Sequence, residues 1–104
     1  MAVTSKLMYR GAAATSSTTL YTVSSTSATA VVTNIVVTNA SAATATFTLT
    51  VDTVDFQTSS SLAANTTAYF DVKQVIPANN PAKVIAGSAS TTAVKFHISG
   101  VEIV

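Results

Sequence analysis

The stretch "ATATFTLTVD", residues 43–52, decides the fold: Phe47, Leu49 and Val51 alternate strictly with Thr46, Thr48 and Thr50. Successive side chains of a strand point to opposite faces, so the stretch is a strand with an apolar inner face and a threonine outer face. Threonine suits that outer face because it favours strands, its methyl packs and its hydroxyl stays hydrated. It also carries no charge to desolvate when another protein lies against it. Ordered Thr-x-Thr arrays on flat sheets serve some ice-binding proteins, but there the threonines stack from strand to strand at the ~4.8 Å sheet spacing. Only this strand carries the row, which argues against that use.

Working outward, a period of two dominates the chain and helical spacing is hard to find. Candidate strands cover about 3–9, 18–23, 28–38, 44–52, 54–58, 66–73, 83–87 and 92–103, each rich in Val, Ile, Thr, Tyr or Phe. The expected fold is all-β: a compact antiparallel β-sandwich, Ig-like or jelly-roll-like, of about eight short strands. Breaks fall at "SSTS" (24–27), "NASA" (39–42) and "PANNPA" (77–82), where two prolines rule out a continuing ladder. With three glycines in the chain, most turns must be built by Asn, Asp and Ser. The Ala/Ser/Thr tracts around 12–19 and 58–64 are expected to be flexible loops. "TTLYTV" and "TTAYFDV" echo one another only faintly, so there is no true repeat, and residues 1–104 are expected to form one domain.

Composition narrows the function. A chain of 104 residues can bury roughly two thirds of its unfolded surface, enough for a modest core. Charged residues make up 9% of it, against about 25% in ordinary soluble domains, while Thr, Ser and Ala supply almost half. Mean hydropathy is +0.48, which separates it from disordered sequences, and the low charge marks a surface that tolerates close approach by other proteins. The five basic residues, Lys6, Arg10, Lys73, Lys83 and Lys95, are scattered, so no direct nucleic-acid contact is expected. Without cysteine the fold uses neither disulfides nor thiolate metal sites, which is compatible with assembly in a reducing cytoplasm. Lys6 and Arg10 interrupt the amino terminus where a signal peptide needs an apolar run, and the longest apolar stretch, "AVVTNIVV", is too short to span a membrane.

Two strands are apolar on both faces. In 31–37, Val31, Ile35 and Val37 lie on one side and Val32 and Val36 on the other, as expected of a central strand covered twice. The second cover is either this chain's own second sheet or a neighbouring subunit. In "AVKFHISGVEIV", Val94, Phe96 and Ile98 share a face, and Val101 and Ile103 lie on the other unless Gly100 introduces a bulge, the simpler account. An unpaired edge of such composition invites aggregation, and oligomerisation removes that hazard.

The sequence holds no catalytic constellation. There is one histidine, no cysteine and four acids, and His97 reads as a half-exposed strand residue opposite Phe96 and Ile98. Asp52 and Asp55 sit at a turn with no third acid near them in sequence, short of the six to eight oxygens calcium takes. No cofactor, catalytic residue or metal ligand is therefore expected. Asn39-Ala40-Ser41 and Asn65-Thr66-Thr67 match the glycosylation pattern. Tyr9, Tyr21 and Tyr69 are the tyrosines available for sugar stacking, and each fits equally at the edge of a core.

The opening "MAVTSKLMYRG", the segment "TTLYTVSSTSATAVVTNIVVTNASAATATFTLTVD", "IPANNPAKVIAGSAS" in a looser form and the ending "HISGVEIV" together resemble small structural proteins of tailed bacteriophages, including those that infect cyanobacteria. The resemblance covers nearly the whole chain, in motifs of low complexity. Many members of the pattern place proline after "LYTV", where this chain has Ser24. The resemblance implies a virion protein, made in the host cytoplasm, that decorates or cements the capsid through protein–protein contacts. Its partners would be the major capsid protein or other virion proteins, and it would form a homo-oligomer, a trimer being favoured. A neck, tail or fibre component, including a host-surface glycan-binding module, is the other reading. The family offers no catalytic residues to carry over. Partner-binding candidates are Val3, Leu7, Met8 and Tyr9, within an amino-terminal arm at 1–10 that precedes the long loop at 11–17, together with Val101 and Ile103. An ordinary edge strand is the alternative to the arm. If the arm reading holds, deleting residues 1–10 weakens assembly and leaves the fold intact.

Overall fold

In the computed structural model, which describes residues 3–23, 28–52, 54–76 and 83–103, the chain forms eight strands. They are β1 (Val3–Ala12), β2 (Thr18–Thr22), β3 (Thr29–Asn39), β4 (Ala45–Val51), β5 (Val54–Leu62), β6 (Thr66–Ile76), β7 (Val84–Ala89) and β8 (Val94–Ile103). One sheet, called A here, has the order β1-β8-β3-β6, and the other, B, has the order β2-β7-β4-β5. Every pairing is antiparallel. The chain changes sheet at each connection except the β4–β5 hairpin. Of the two expected sandwich types, this connectivity is the jelly roll, two interlocked Greek keys.

The core lies between the inner faces. Ile35 and Val37 of β3, Phe96 and Ile98 of β8 and Ile76 of β6 meet Leu49 of β4 and Ile85 of β7, all fully buried. The four phenylalanines form a chain of edge-on contacts between the sheets: Phe96 to Phe47 at 6.3 Å, Phe47 to Phe70 at 6.2 Å and Phe70 to Phe56 at 5.6 Å. Each such contact adds about 0.5–1.5 kcal/mol beyond area burial. As expected, polar residues make the tight turns: Asp52 and Asn65 adopt φ of 53° and 55°. These residues tolerate the left-handed region because short polar side chains bond locally.

Several sequence readings are corrected. Residues 58–62 belong to β5 and are not a loop, with Ser59 absorbing an irregularity at φ 46°. The 12–19 tract is a loop only between β1 and β2, and it is held: Ala13 N–H donates to Val94 O at 2.8 Å and Ala14 O accepts from Ala89 N–H at 2.9 Å. β3 is central, as expected, but this chain's own second sheet covers only one of its faces. A bulge at Thr33 reverses its alternation, so Val32, Ile35 and Val37 all point inward while Val31 and Val36 face out. β8 has no bulge at Gly100. Its alternation runs unbroken from Val94 to Ile103, and the bulges lie in its neighbours, at Met8 of β1 and Thr33 of β3. The breaks at 24–27, including Ser24, and at 77–82 lie outside the described residues.

Candidate functional site

The outer face of sheet A gathers most of the partner-binding candidates. Val3 pairs with Ile103 and Ser5 with Val101, which in turn faces Val31, itself opposite Val75. Ser5, Val101, Val31 and Val75 thus form one row across all four strands. Ile103 and Val3 lie in the next row toward the sheet's end, and Leu7 lies in the row on the other side. Val3, Leu7 and Val75 are 64%, 55% and 60% exposed, and Val31, Val101 and Ile103 are half-buried. Scattered exposed apolar residues are ordinary, but adjacent rows of them on one face form a patch of the kind that binds proteins. Four of the six expected residues, Val3, Leu7, Val101 and Ile103, therefore sit together.

Met8 and Tyr9 do not join them. Met8 is the bulge residue and points into the core, while Tyr9 pairs with inward-facing Ile98 and donates its hydroxyl to Ala12 O at 2.7 Å. Residues 3–12 are not a free arm either, but the edge strand of sheet A, paired with β8 from Val3 to Ala12. The two bulges flank Ser99 and Gly100 and leave a depression lined by Ser5, Leu7, Thr33, Ser99 and Val101 with Arg10 at its rim. Gly100 is obligatory beneath it: a Cβ there would collide with the Val31 carbonyl oxygen and come within 2.7 Å of Met8 Cε.

Further along the same face, Arg10, His97, Val36 and Tyr69 stand in one row. Tyr69 is 75% exposed, the most open of the large apolar side chains among the described residues. Thr38 and Thr67 share a hydrogen bond of 3.2 Å at the polar end of the face. The threonine row lies on the other outer face: Thr48 faces Ser88 and Thr50 faces Ala86, so sheet B presents hydroxyls and small side chains. All four edge strands are irregular. β1 carries the Met8 bulge and β2 one at Leu20, while the registers of β5 and β6 shift. Such edges resist extension by a further strand.

A second polar group, which the alternation pattern concealed, ties the sheets together beneath the patch. Glu102 of β8 is 4% exposed and accepts a short hydrogen bond from the Tyr21 hydroxyl of β2, and Lys6 Nζ lies 3.5 Å from its other oxygen. Burial, then the hydrogen bond and negative charge of Glu102, push the Tyr21 phenol well above its usual range. Asn39, at the start of one glycosylation pattern, is fully buried, so its amide is closed to modification in the folded chain. Its Nδ2 lies 2.9, 3.0 and 3.2 Å from the carbonyls of Ala43, Leu62 and Ala63, and its Oδ1 accepts from Ser41. Asn65 is exposed. Asp52 pairs with Lys83 at 3.3 Å, and among the described residues no three His, Cys, Asp or Glu side chains gather as metal ligands would.

No family model matches the chain, and no curated protein matches it. Among solved structures it is similar to a chain in the structure of infectious bursal disease virus, Gx strain, with a TM-score of 0.49 and 11% identity, covering 97% of this chain and 30% of that one. This chain thus spans less than a third of that chain's length.

Proposed function

We propose that the protein is a structural component of a virus particle, a decoration or cement protein that binds the capsid surface of a tailed phage and stabilises it. The observation that carries this reading is the apolar patch on the outer face of sheet A, where Val3, Leu7, Val31, Val75, Val101 and Ile103 lie in adjacent rows of a framework with blunted edges. A jelly roll of this kind serves capsids and lectins alike, so the fold alone does not choose. The low charge and the hydroxylated face of sheet B support a protein built to lie against others, and the resemblance of its motifs to small phage structural proteins points the same way. On this reading it is not an enzyme, it resides in the virion, and its partners are the major capsid protein and further copies of itself, a trimer being favoured.

Immunogold labelling of purified particles, using antibody raised against the chain, tests the proposal. Label over the capsid shell, lost when Val101 in the middle of the patch is changed to Asp, supports it; particles without the protein overturn it.

One observation favours a second reading, a glycan-binding module of a tail or fibre. Tyr69 projects from the edge strand β6, at the end of the row that runs through Val36 and His97 to Arg10, and its exposed ring is open to stacking against a sugar ring. Label confined to the tail tip, with glycan-array binding that disappears in Tyr69→Ala, would select it.

A further inference from the structure

Apart from Tyr69, the most exposed large apolar side chains of the described residues fall into two pairs on opposite sides of the sandwich. Along one side β1 runs beside β2, and along the other β6 runs beside β5. On the first side Leu7 and the exposed Arg10 line the depression over Ser99, and Val3 lies beyond Ser5 on the same strand and face. On the second side Val54 and Val75, 68% and 60% exposed, border another depression, floored by half-buried Phe56 and Val51, with Asp52 and the exposed Asp55 on its rim.

The charges of the two rims are of opposite sign. Lys6 and Asp52 already have partners within the chain, in Glu102 and Lys83. Arg10 and Asp55 have no ion pair among the described residues. On β6 the exposed Asp71 and Lys73 offset one another, so each side offers a pair of exposed valine or leucine side chains and one net uncommitted charge, a cation on the β1 side and an anion on the β5 side. A two-fold contact of either side with itself would bring like charges together, which costs affinity. A contact between one side and the other matches both the apolar surface and the charge.

We infer that copies of this chain associate head to tail, the Leu7–Arg10 side of one copy docking on the Val54–Asp55 side of the next. Such a heterologous contact closes into a ring when the rotation per copy divides a full turn and runs on as a filament when it does not. A stable contact buries about 800 Å² on each partner, roughly one seventh of this chain's 5319 Å² of accessible surface. The apolar pairs supply the buried centre, and the Arg10–Asp55 pair at the rim fixes which side meets which. The inference concerns contacts between copies; it takes Val3, Leu7 and Val75 from the rim of the outer face of sheet A and leaves Val31, Val101 and Ile103 in its middle for a capsid.

Sedimentation analysis over a wide concentration range, with circular dichroism as a check on folding, reads the charge pairing. Arg10→Glu and Asp55→Arg are each expected to raise the dissociation constant about ten-fold or more, and the double variant to recover association. A second measurement reads the geometry without disturbing the charges. The chain has no cysteine, so Leu7→Cys and Val54→Cys variants each carry a single thiol. Mild oxidation of the two mixed together should give a disulfide-linked pair that neither gives alone. A wild-type chain that stays monomeric throughout overturns the inference and leaves both sides to other proteins. Charge reversals without effect on the assembly, or disulfide pairs formed by one variant alone, overturn it in favour of a different or two-fold contact.

Discussion

The Tyr21 hydroxyl, from sheet B, donates to the carboxylate of Glu102 in sheet A, across one end of the sandwich. Glu102 occupies an inward position of β8, following Phe96, Ile98 and Gly100 on the same face, and Lys6 of the neighbouring strand reaches back over the edge to pair with it. Replacing a buried ion pair by apolar residues of similar volume is often neutral or stabilising, so stability alone does not account for the carboxylate. It acts as a registration point. A slip of β8 by one residue would turn Glu102 outward and Val101 and Ile103 inward, emptying the outer patch of its central side chains.

The raised pKa of Tyr21 has a consequence at alkaline pH. Folding holds the phenol proton above its ordinary value, so this contribution is fully present below the unfolded tyrosine's pKa of about 10. Above that pH the unfolded chain releases the proton while the folded chain keeps it, and stability falls as pH rises. Tyr21→Phe should cost about 2 kcal/mol at neutral pH, the loss of a hydrogen bond to a charged group. It should also flatten the alkaline limb. Urea melts of both proteins between neutral pH and pH 11 measure the two effects, and equal slopes above pH 10 would contradict the assignment.

Glycine-to-alanine exchanges should separate two kinds of crowding. At Gly100 the added methyl meets the backbone carbonyl of Val31 in the neighbouring strand, which cannot withdraw without breaking the ladder. At Gly87 it lies 2.7 Å from Leu49 Cδ2 and 3.2 Å from Leu20 Cδ1, the free ends of side chains that can turn aside, and 3.1 Å from the Thr48 carbonyl. Gly100→Ala is expected to cost about 3 kcal/mol or more and Gly87→Ala nearer 1 kcal/mol. Thermal melts with the order reversed would show that β8 and β3 approach less closely than described.

Alternation revealed faces and did not reveal neighbours. Every strand was visible because Val, Ile, Phe and Tyr recur at spacing two, and the threonine row placed Phe47 and Leu49 inside correctly. The order of strands depends on pairings far apart in sequence, such as Val31 with Val101, and no local pattern distinguishes a jelly roll from an immunoglobulin-like sandwich. Serines 59–61 gave no inward apolar signal, so the second half of β5 read as loop. Thr33 and Met8 look like ordinary strand residues, yet each absorbs a bulge that reverses the faces beyond it. For that reason β3 looked apolar on both sides. The outward setting of Val101 and Ile103 follows from plain alternation with Phe96 and Ile98, but glycine's association with bulges favoured the opposite reading; the buried Glu102 between them was hidden as well, because a carboxylate within an apolar run reads as solvent-facing.

Asn39 should prove among the costliest polar residues to remove. Its two amide hydrogens are shared among carbonyls that end β5 and precede β4, so one side chain at the end of β3 fastens sheet A to sheet B. Asn39→Ala leaves the buried Leu62 carbonyl without that donor, while Ala43 O and Ala63 O keep the hydroxyls of Ser41 and Thr66, at an expected cost of about 2 kcal/mol. Asn39→Asp should be at least as damaging, because a carboxylate presents acceptors to acceptors. Chemical denaturation measures both, and a variant that melts with the wild type would remove the fastening role.

The amino-terminal strand and its outward side chains should separate fold from association. Residues 3–10 pair with β8, Met8 fills part of the core, and Lys6 accompanies a buried carboxylate. Deleting residues 1–10 is therefore expected to abolish the cooperative melt and the near-ultraviolet circular dichroism, the opposite of what a free arm would give. Changing only the outward pair, Val3→Ser with Leu7→Ser, leaves every pairing in place and should alter stability by no more than about 0.5 kcal/mol per site. The same double variant should lose association with other copies, because it removes the exposed apolar surface on that side. A truncated chain that still folds would return residues 1–10 to the role of an arm, and a double variant that binds undiminished would move the contact away from the β1 side of sheet A.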